Sequence, residues 1–359
     1  MLTLRCKRAA AFALMALAVL AFSSTHSQAQ AALLLEEPYG FFGALNPTGH
    51  TAIYLARVCA ETPVKLRSCE PGEMGVVIAR YQGIAGYDWV AIPLIPYLYS
   101  VQTATEIPTR VNHKLVEQLR QRSHEANLLS LGENLHEGSI YRGGWKQLVG
   151  VAYERRIFAF RFETTEEQDD TLIERLNNAE NRTKFHLLFN NCADFSRAIL
   201  NICFPRIVKR SFFPDAGMTT PKQVAYKLVR YARKHDEMHL AIFEIRQVPG
   251  YRRHSNSNKS IAESLSTTAY AVPIAMINPY VAGGLLADYL VRGRFHFLPK
   301  HPQILTPDNL LALTGSLATV QNPDNAGTQA PSAASSGTVD PQATAKANSG
   351  LREIKDKHE

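Results

Sequence analysis

Between Arg155 and Glu163 the chain alternates, with Phe158, Phe160 and Phe162 on one side and Ile157, Ala159 and Arg161 on the other. A period of two predicts a strand there. The same reading predicts strands over 51–58, 75–81 and 87–92, each rich in Val, Ile, Tyr or Trp and bounded by Gly or Pro, and another over 239–248. Helical spacing appears over 110–129, where Val111, Leu115, Leu119 and Leu128 recur among charged residues. A second helix is predicted from Thr165, whose hydroxyl and Gln168 fit a capping box. Glu166, Glu167, Asp169 and Asp170 suit the positive end of its dipole. In a third, Phe195, Ile199, Ile202 and Cys203 share a face and Pro205 ends the helix. Thr220 and Pro221 read as N-cap and first residue of a fourth, running over 222–234. Residues 33–44, apolar with Gly40 and Gly43, read as an extended lead-in. The expected fold class is α+β.

Outside that core the patterning changes. Residues 1–31 begin with Arg5, Lys7 and Arg8, continue through an uninterrupted apolar run from Ala9 to Phe22, and reach Ala29-Gln30-Ala31. This is the three-part pattern of a secretory signal peptide, cleaved before Ala32. Its apolar run is shorter than the ~20 residues that span a bilayer, and an uncleaved anchor is the alternative. The expected domain covers 32–250, and an apolar helical extension covers 251–317. Within the extension, 269–291 carries Asp288 as its one charge and is interrupted by Pro273, Asn278 and Pro279. It reads as a helical hairpin packed on the domain or as a segment associating with a membrane. Residues 318–359 are rich in Ala, Ser, Gln, Asn, Thr and Pro and cannot bury a core, so a disordered tail is expected.

Charge and motifs narrow the chemistry by exclusion. The net charge of +7 is dispersed apart from small clusters such as Arg155-Arg156 and Arg252-Arg253. No basic and aromatic stripe of the nucleic-acid-tracking kind is present, so no nucleic-acid partner is expected. There is no H-E-x-x-H, no paired C-x-x-C and no phosphate-cradling glycine loop; no metal and no cofactor is expected. Cys59 and Cys69 bracket a polar loop holding Pro63 and Pro71, so they either close a disulfide in an oxidising compartment or stay free. Cys192 and Cys203 lie about three turns apart on one helix, at ~1.5 Å rise per residue, too far to bond. Cys203 falls on the apolar face and reads as a buried small hydrophobe.

Two short segments then stand out. In Gly49-His50-Thr51-Ala52-Ile53-Tyr54-Leu55 a histidine opens an apolar strand; in Phe189-Asn190-Asn191-Cys192-Ala193-Asp194-Phe195 a cysteine opens a helix. Asn190 and Asn191 are placed to cap that helix, and converging amides and the dipole are expected to favour the thiolate. The same amides can hold the oxyanion of a tetrahedral intermediate. His50 shares a strand face with small Ala52, which leaves room for a base to act. One among 12 histidines means little alone; the setting directly before Ile-Tyr-Leu is what singles it out.

GHTAIYL followed much later by NNCADF resembles the circularly permuted members of the NlpC/P60 papain-like superfamily, which include lecithin–retinol acyltransferase-like proteins and bacterial envelope proteins. The resemblance covers roughly 45–231 and implies a permuted papain-like core with an antiparallel sheet. In it Cys192 would be the nucleophile and His50 the base of an exported thiol hydrolase or acyltransferase. Its substrate would be an envelope peptide amide or a lipid ester, with a periplasmic or envelope location. A non-catalytic envelope binding or scaffold protein retaining the fold is the rival. The family's usual third polar residue, often a second histidine, has no counterpart between Thr51 and Gln102. Glu73, Tyr87 and Asp88 are the candidates to orient His50, with Asp88 preferred because a carboxylate suits that role. Insertions are expected around 93–108 and 127–150, and Ile92–Tyr97 either lines an apolar groove or crosses the core.

Overall fold

The computed structural model describes residues 29–314, except 82–83, 85, 132–144, 183–184, 211–214, 216, 269 and 294–296. The bulk of the leader and all of the tail lie outside the described residues. The strands are β1 (Ala29–Glu36), β2 (His50–Leu55), the hairpin β3 (Val58–Thr62) and β4 (Lys65–Ser68), β5 (Val76–Ala79), β6 (Val90–Pro93), β7 (Ile157–Thr164), β8 (Ala241–Ile245) and β9 (Gln303–Leu305). Seven of them form one sheet in the order β6-β5-β2-β1-β7-β8-β9, antiparallel except for the β8–β9 pair. The helices are α1 (Gly40–Leu45), α2 (Leu94–Tyr99), α3 (His113–Asn127), α4 (Glu166–Asn178), α5 (Cys192–Cys203), α6 (Pro221–Ala232), α7 (Ile261–Thr267), α8 (Ala271–Ile277) and α9 (Pro279–Asp288). The architecture is mixed α+β with a large, mostly antiparallel sheet.

Side chains alternate between two cores on the two faces of this sheet. Leu34, Ala52, Tyr54 and Val77 pack with Tyr97 of α2 and Val116 of α3. Leu33, Leu35, Ile53, Leu55 and Phe160 pack on the other face with Leu172 of α4, Phe195 and Ile199 of α5, and Leu228 of α6. Each fully buried aliphatic or aromatic side chain contributes about 1.5–3 kcal/mol. Local signals close the helices: capping boxes at Thr165/Gln168 and Asn191/Asp194, and Thr220 with Pro221 at the start of α6.

Three features differ from the sequence reading. Of the run read as an extended lead-in over 33–44, residues 33–36 belong to β1, paired to β2 on one edge and β7 on the other and covered on both faces by the two cores, so it shows no alternation, and Gly40–Leu45 is helix α1. β1 begins at Ala29, ahead of the expected cleavage point: Ala31 is fully buried and lies opposite Leu55 and Phe162. The sheet therefore takes in residues 29–31, which the reading assigned to the leader. The expected strand over 51–58 is two strands, because the chain turns out of the main sheet after Leu55 into the β3–β4 hairpin. Cys59 and Cys69 are joined in a disulfide across that hairpin, with Cα atoms 4.9 Å apart. Leu94, Ile95 and Tyr97 are buried, so the Pro-flanked segment after β6 crosses the core instead of lining a groove.

Gly49 sets the entry into β2. Its φ is +75°, and a Cβ there would lie 2.3 Å from the Glu36 carbonyl oxygen and 2.0 Å from Asn258 Nδ2. Asn258 holds this corner by donating to the carbonyls of Glu36 (2.8 Å) and Thr48 (2.9 Å). Gly49→Ala is expected to destabilise the fold by at least about 1 kcal/mol; a thermal midpoint equal to wild type in differential scanning calorimetry contradicts this reading of the corner.

Candidate active site

His50 is the first residue of β2 and Glu36, its register partner, the last of β1, so both stand at the same end of the sheet. A cavity of about 780 Å³ opens there, with His50, Tyr81, Arg80, Arg155, Asn191 and Cys192 on its wall. The two residues singled out by sequence thus line one space, although they reach it from different sides. His50 follows Ala52 and Tyr54 to one face, where its ring stacks on Tyr81 with centroids 4.1 Å apart and planes 17° apart. Cys192 comes from α5, packed on the face that carries Ile53 and Leu55. No hydrogen bond joins the imidazole to the sulfur among the described residues. The link between them is Thr51: its backbone N–H and hydroxyl face the Cys192 sulfur, as does the N–H of Ala193.

The helix start is built as its sequence implies. Asn191 is the N-cap: its Oδ1 accepts from the Asp194 N–H at 3.0 Å, and its Nδ2 donates to the carbonyls of Leu187 (2.9 Å) and Thr219 (3.1 Å). Asn190 takes a different role, accepting from Arg80 Nη1 at 2.6 Å. Asp194 is buried and neutralised from outside, its Oδ1 accepting from Arg210 Nη2 and the Thr219 hydroxyl, both at 2.7 Å. Thr51 is fixed by its hydroxyl, 2.9 Å from Ser196 Oγ one turn into α5.

Ionisation follows burial more than the helix dipole. The Cys192 thiol is pushed up to about 11, first by loss of solvent and then by the Glu36 charge, against the opposing pull of the Thr51 and Ala193 amides. The sequence expectation of a thiol primed to ionise is therefore reversed in the resting site, because desolvation outweighs the amides at the helix start. His50 is held well below its ordinary value, by burial first and by the nearby Arg155 charge second, and its Nε2 is buried without a hydrogen-bond partner. Both groups rest neutral at pH 7.

Beneath the histidine lies a polar cluster that the sequence reading did not single out. Glu36 is fully buried and ion-paired with Arg155 at 3.1 Å, and it accepts a hydrogen bond from the Tyr97 hydroxyl. The Arg155 guanidinium lies 4.6 Å from the centre of the Tyr39 ring, and Tyr81 donates to the Gln147 carbonyl at 2.9 Å. Burial raises the Glu36 pKa, with Arg155 and Tyr97 opposing. A signal existed: the acidic pair Glu36-Glu37 ends one apolar run and the basic pair Arg155-Arg156 opens another. The second residues of those pairs also meet, Arg156 to Glu37 at 2.5 Å.

Asp88, preferred as the orienting carboxylate, is engaged elsewhere. Its side chain is buried against Arg80, and no hydrogen bond joins it to His50 among the described residues. Its carboxylate, on the turn before β6, is captured by the guanidinium of Arg80, eight residues earlier, which in turn lies 4.9 Å from the centre of the Phe195 ring. Tyr87 is at the rim of the same loop, beneath the Arg182 guanidinium, and Glu73 pairs with Arg67 at the β3–β4 hairpin. One group of side chains has metal-ligand spacing among the described residues, Cys59, Cys69 and Glu73, and its two sulfurs are consumed by the disulfide.

Comparison with family models, with curated proteins and with solved structures finds no match to this chain.

Because the thiol sits above the usual ~8.5 of a free cysteine, its thiolate fraction grows only in strongly alkaline solution. In a Cys203→Ser background, iodoacetamide labelling of Cys192 is expected to keep accelerating past pH 10, with its inflection near 11. Glu36→Gln, which removes the charge that raises it, is expected to move the inflection down. An inflection near 8.5 in wild type, or one unmoved by Glu36→Gln, contradicts this electrostatic description.

Proposed function

We propose that this protein is an exported thiol hydrolase or acyltransferase with a permuted papain-like core, acting through Cys192 and His50 on an amide or ester of the cell envelope. The observation that carries the reading is the shared cavity: a cysteine at a capped helix N-terminus and a buried histidine with an unoccupied Nε2 open onto one space. Its volume of about 780 Å³ suits a small ligand or a peptide segment. Arg80, Arg155 and Arg252 line the wall with their charges paired to Asp88, Glu36 and Glu154, and this polar wall suits a peptide better than a purely apolar acyl chain. Support for export comes from the leader pattern and from the Cys59–Cys69 disulfide, a bond that persists in oxidising compartments.

The chemistry follows from two neutral groups. With the thiol near 11 and the imidazole depressed, a standing thiolate–imidazolium pair is disfavoured. The thiol proton therefore moves to His50 as the sulfur attacks the substrate carbonyl, when the new S–C bond compensates for the lost S–H. The negative charge passes to the carbonyl oxygen, which the Cys192 and Ala193 amides at the start of α5 can receive once the sulfur has bonded to carbon, the Asp194 amide being held by the Asn191 cap. His50 returns the proton to the leaving amine or alcohol, and the acyl-enzyme is released to water or to an acceptor. Glu36, Arg155 and Tyr81 act through His50 as positioning residues.

A non-catalytic envelope protein that keeps the fold is the second reading, favoured by the raised thiol and by the missing imidazole–sulfur hydrogen bond. Acyl trapping separates the two. Incubated with activated acyl esters, wild type is expected to gain one acyl mass on Cys192 in intact-protein and peptide mass spectrometry. Cys192→Ala is expected to gain none, and His50→Ala to acylate about 10²–10⁴-fold more slowly. Equal acylation of Cys192→Ala and wild type would falsify the nucleophile assignment; equal rates in His50→Ala and wild type remove the base.

A further inference from the structure

A second surface lies away from the Cys192 chemistry and is independent of it. Helices α8 and α9 pack on each other and on α7 but bury no residue of their own. Met276 is 81 % exposed, Ile277 85 % and Tyr280 89 %, with Val272 and Val291 also largely in solvent. Every side of α9 is apolar or small, and Asp288 is the one charge between Tyr270 and Val291. A helix that docks on protein shows one apolar stripe and one polar face, whereas a helix apolar all round belongs in a surrounding apolar medium. No described helix is long and apolar enough to cross a membrane. The ten residues of α9 rise about 15 Å, half of a ~30 Å hydrocarbon core.

The ends of the segment supply the complementary charge. Arg253 and Lys259 precede it; Arg292 and Lys300 follow it. Basic residues at both margins of an apolar stretch sit at headgroup depth and attract anionic lipid, at about 1 kcal/mol each. The break between the two helices is also suited to a dry setting. Asn278 Oδ1 accepts from the N–H groups of Tyr280 and Val281, both at 3.1 Å, so the first amides of α9 are bonded without water.

We propose that residues 270–291 form a re-entrant helical hairpin that inserts into one leaflet of an anionic phospholipid bilayer, with the flanking arginines and lysines at the headgroups. The body of the protein, and with it the cavity that α7 borders through Ile261, is then held at the membrane surface.

The test uses the full chain and vesicles of phosphatidylglycerol with phosphatidylethanolamine, against vesicles of phosphatidylcholine alone. Tyr280→Trp supplies a local reporter, since the native Trp89 and Trp145 are both buried and the leader has no tryptophan. Its emission is expected to shift to the blue and to be quenched by brominated acyl chains in the anionic vesicles. Met276→Glu with Ile277→Glu is expected to weaken vesicle affinity at least about tenfold, since two apolar side chains lose their lipid contact, with an unchanged thermal midpoint. Emission from Tyr280→Trp that anionic brominated lipid leaves unquenched overturns the proposal. So does equal vesicle affinity of the double variant, or a lipid-free dimer of wild type that the double variant dissolves, which assigns the surface to a second copy of the chain.

Discussion

The end of the sheet that carries the site depends on one buried ion pair, Glu36 with Arg155. Glu36 closes β1 and Arg155 leads into β7, so the pair fixes the register of the two central strands where the backbone would otherwise splay. Tyr97 brings α2 onto the carboxylate, Tyr39 covers the guanidinium, and Tyr81 carries the contact to the His50 ring. Breaking a buried pair by removing one partner typically costs about 3–5 kcal/mol, because a desolvated charge is left behind. The geometry of the cavity wall is therefore coupled to the stability of the sheet core.

Burial comes first in setting the protonation of the site, and the same pair adds to it at Cys192 and His50 in complementary ways. Arg155 disfavours a positive imidazole, and Glu36 disfavours a negative thiolate. Burial pushes both in the same direction. In the proposed mechanism, a site assembled this way holds its proton on sulfur until a substrate carbonyl offers somewhere for the charge to go. It is guarded against stray oxidation and alkylation by the same means, since the thiolate is the reactive form. The helix start contributes by geometry more than by its dipole: Asn191, Asp194 and Arg210 lock the first turn, and Ser196 ties Thr51 to it.

Much of the scaffold is legible in the sequence because its signals are local. Alternation in Ile157–Phe162, the Thr165/Gln168 box and the Thr220-Pro221 start each need only neighbouring residues. β1 was missed for a physical reason: a central strand covered on both faces reads as an unbroken apolar run, and Ala-Ala-Leu-Leu-Leu has no polar side to reveal its period. The positions of Cys192 and His50 on one cavity also follow local motifs, but their ionisation does not. Desolvation depends on what the rest of the chain places around them, and Glu36 and Arg155 are more than a hundred residues apart. Asp88 illustrates the same limit: a carboxylate goes to the guanidinium that tertiary structure brings, and Arg80 is eight residues away. The matching acidic and basic pairs, Glu36-Glu37 and Arg155-Arg156, were the one long-range clue present in the letters of the chain.

The central claim is that the buried cluster keeps the reactive pair neutral at rest. The most direct measurement is a ¹⁵N nuclear magnetic resonance titration of the His50 imidazole in the native protein, assigned by comparison with His50→Gln. The account predicts chemical shifts of a neutral ring from pH 9 down through the ordinary histidine midpoint of ~6.5, with protonation only well below it. A ring that is already imidazolium at pH 7, and that loses this charge in Cys192→Ala, reveals a standing ion pair with the thiolate and contradicts the account.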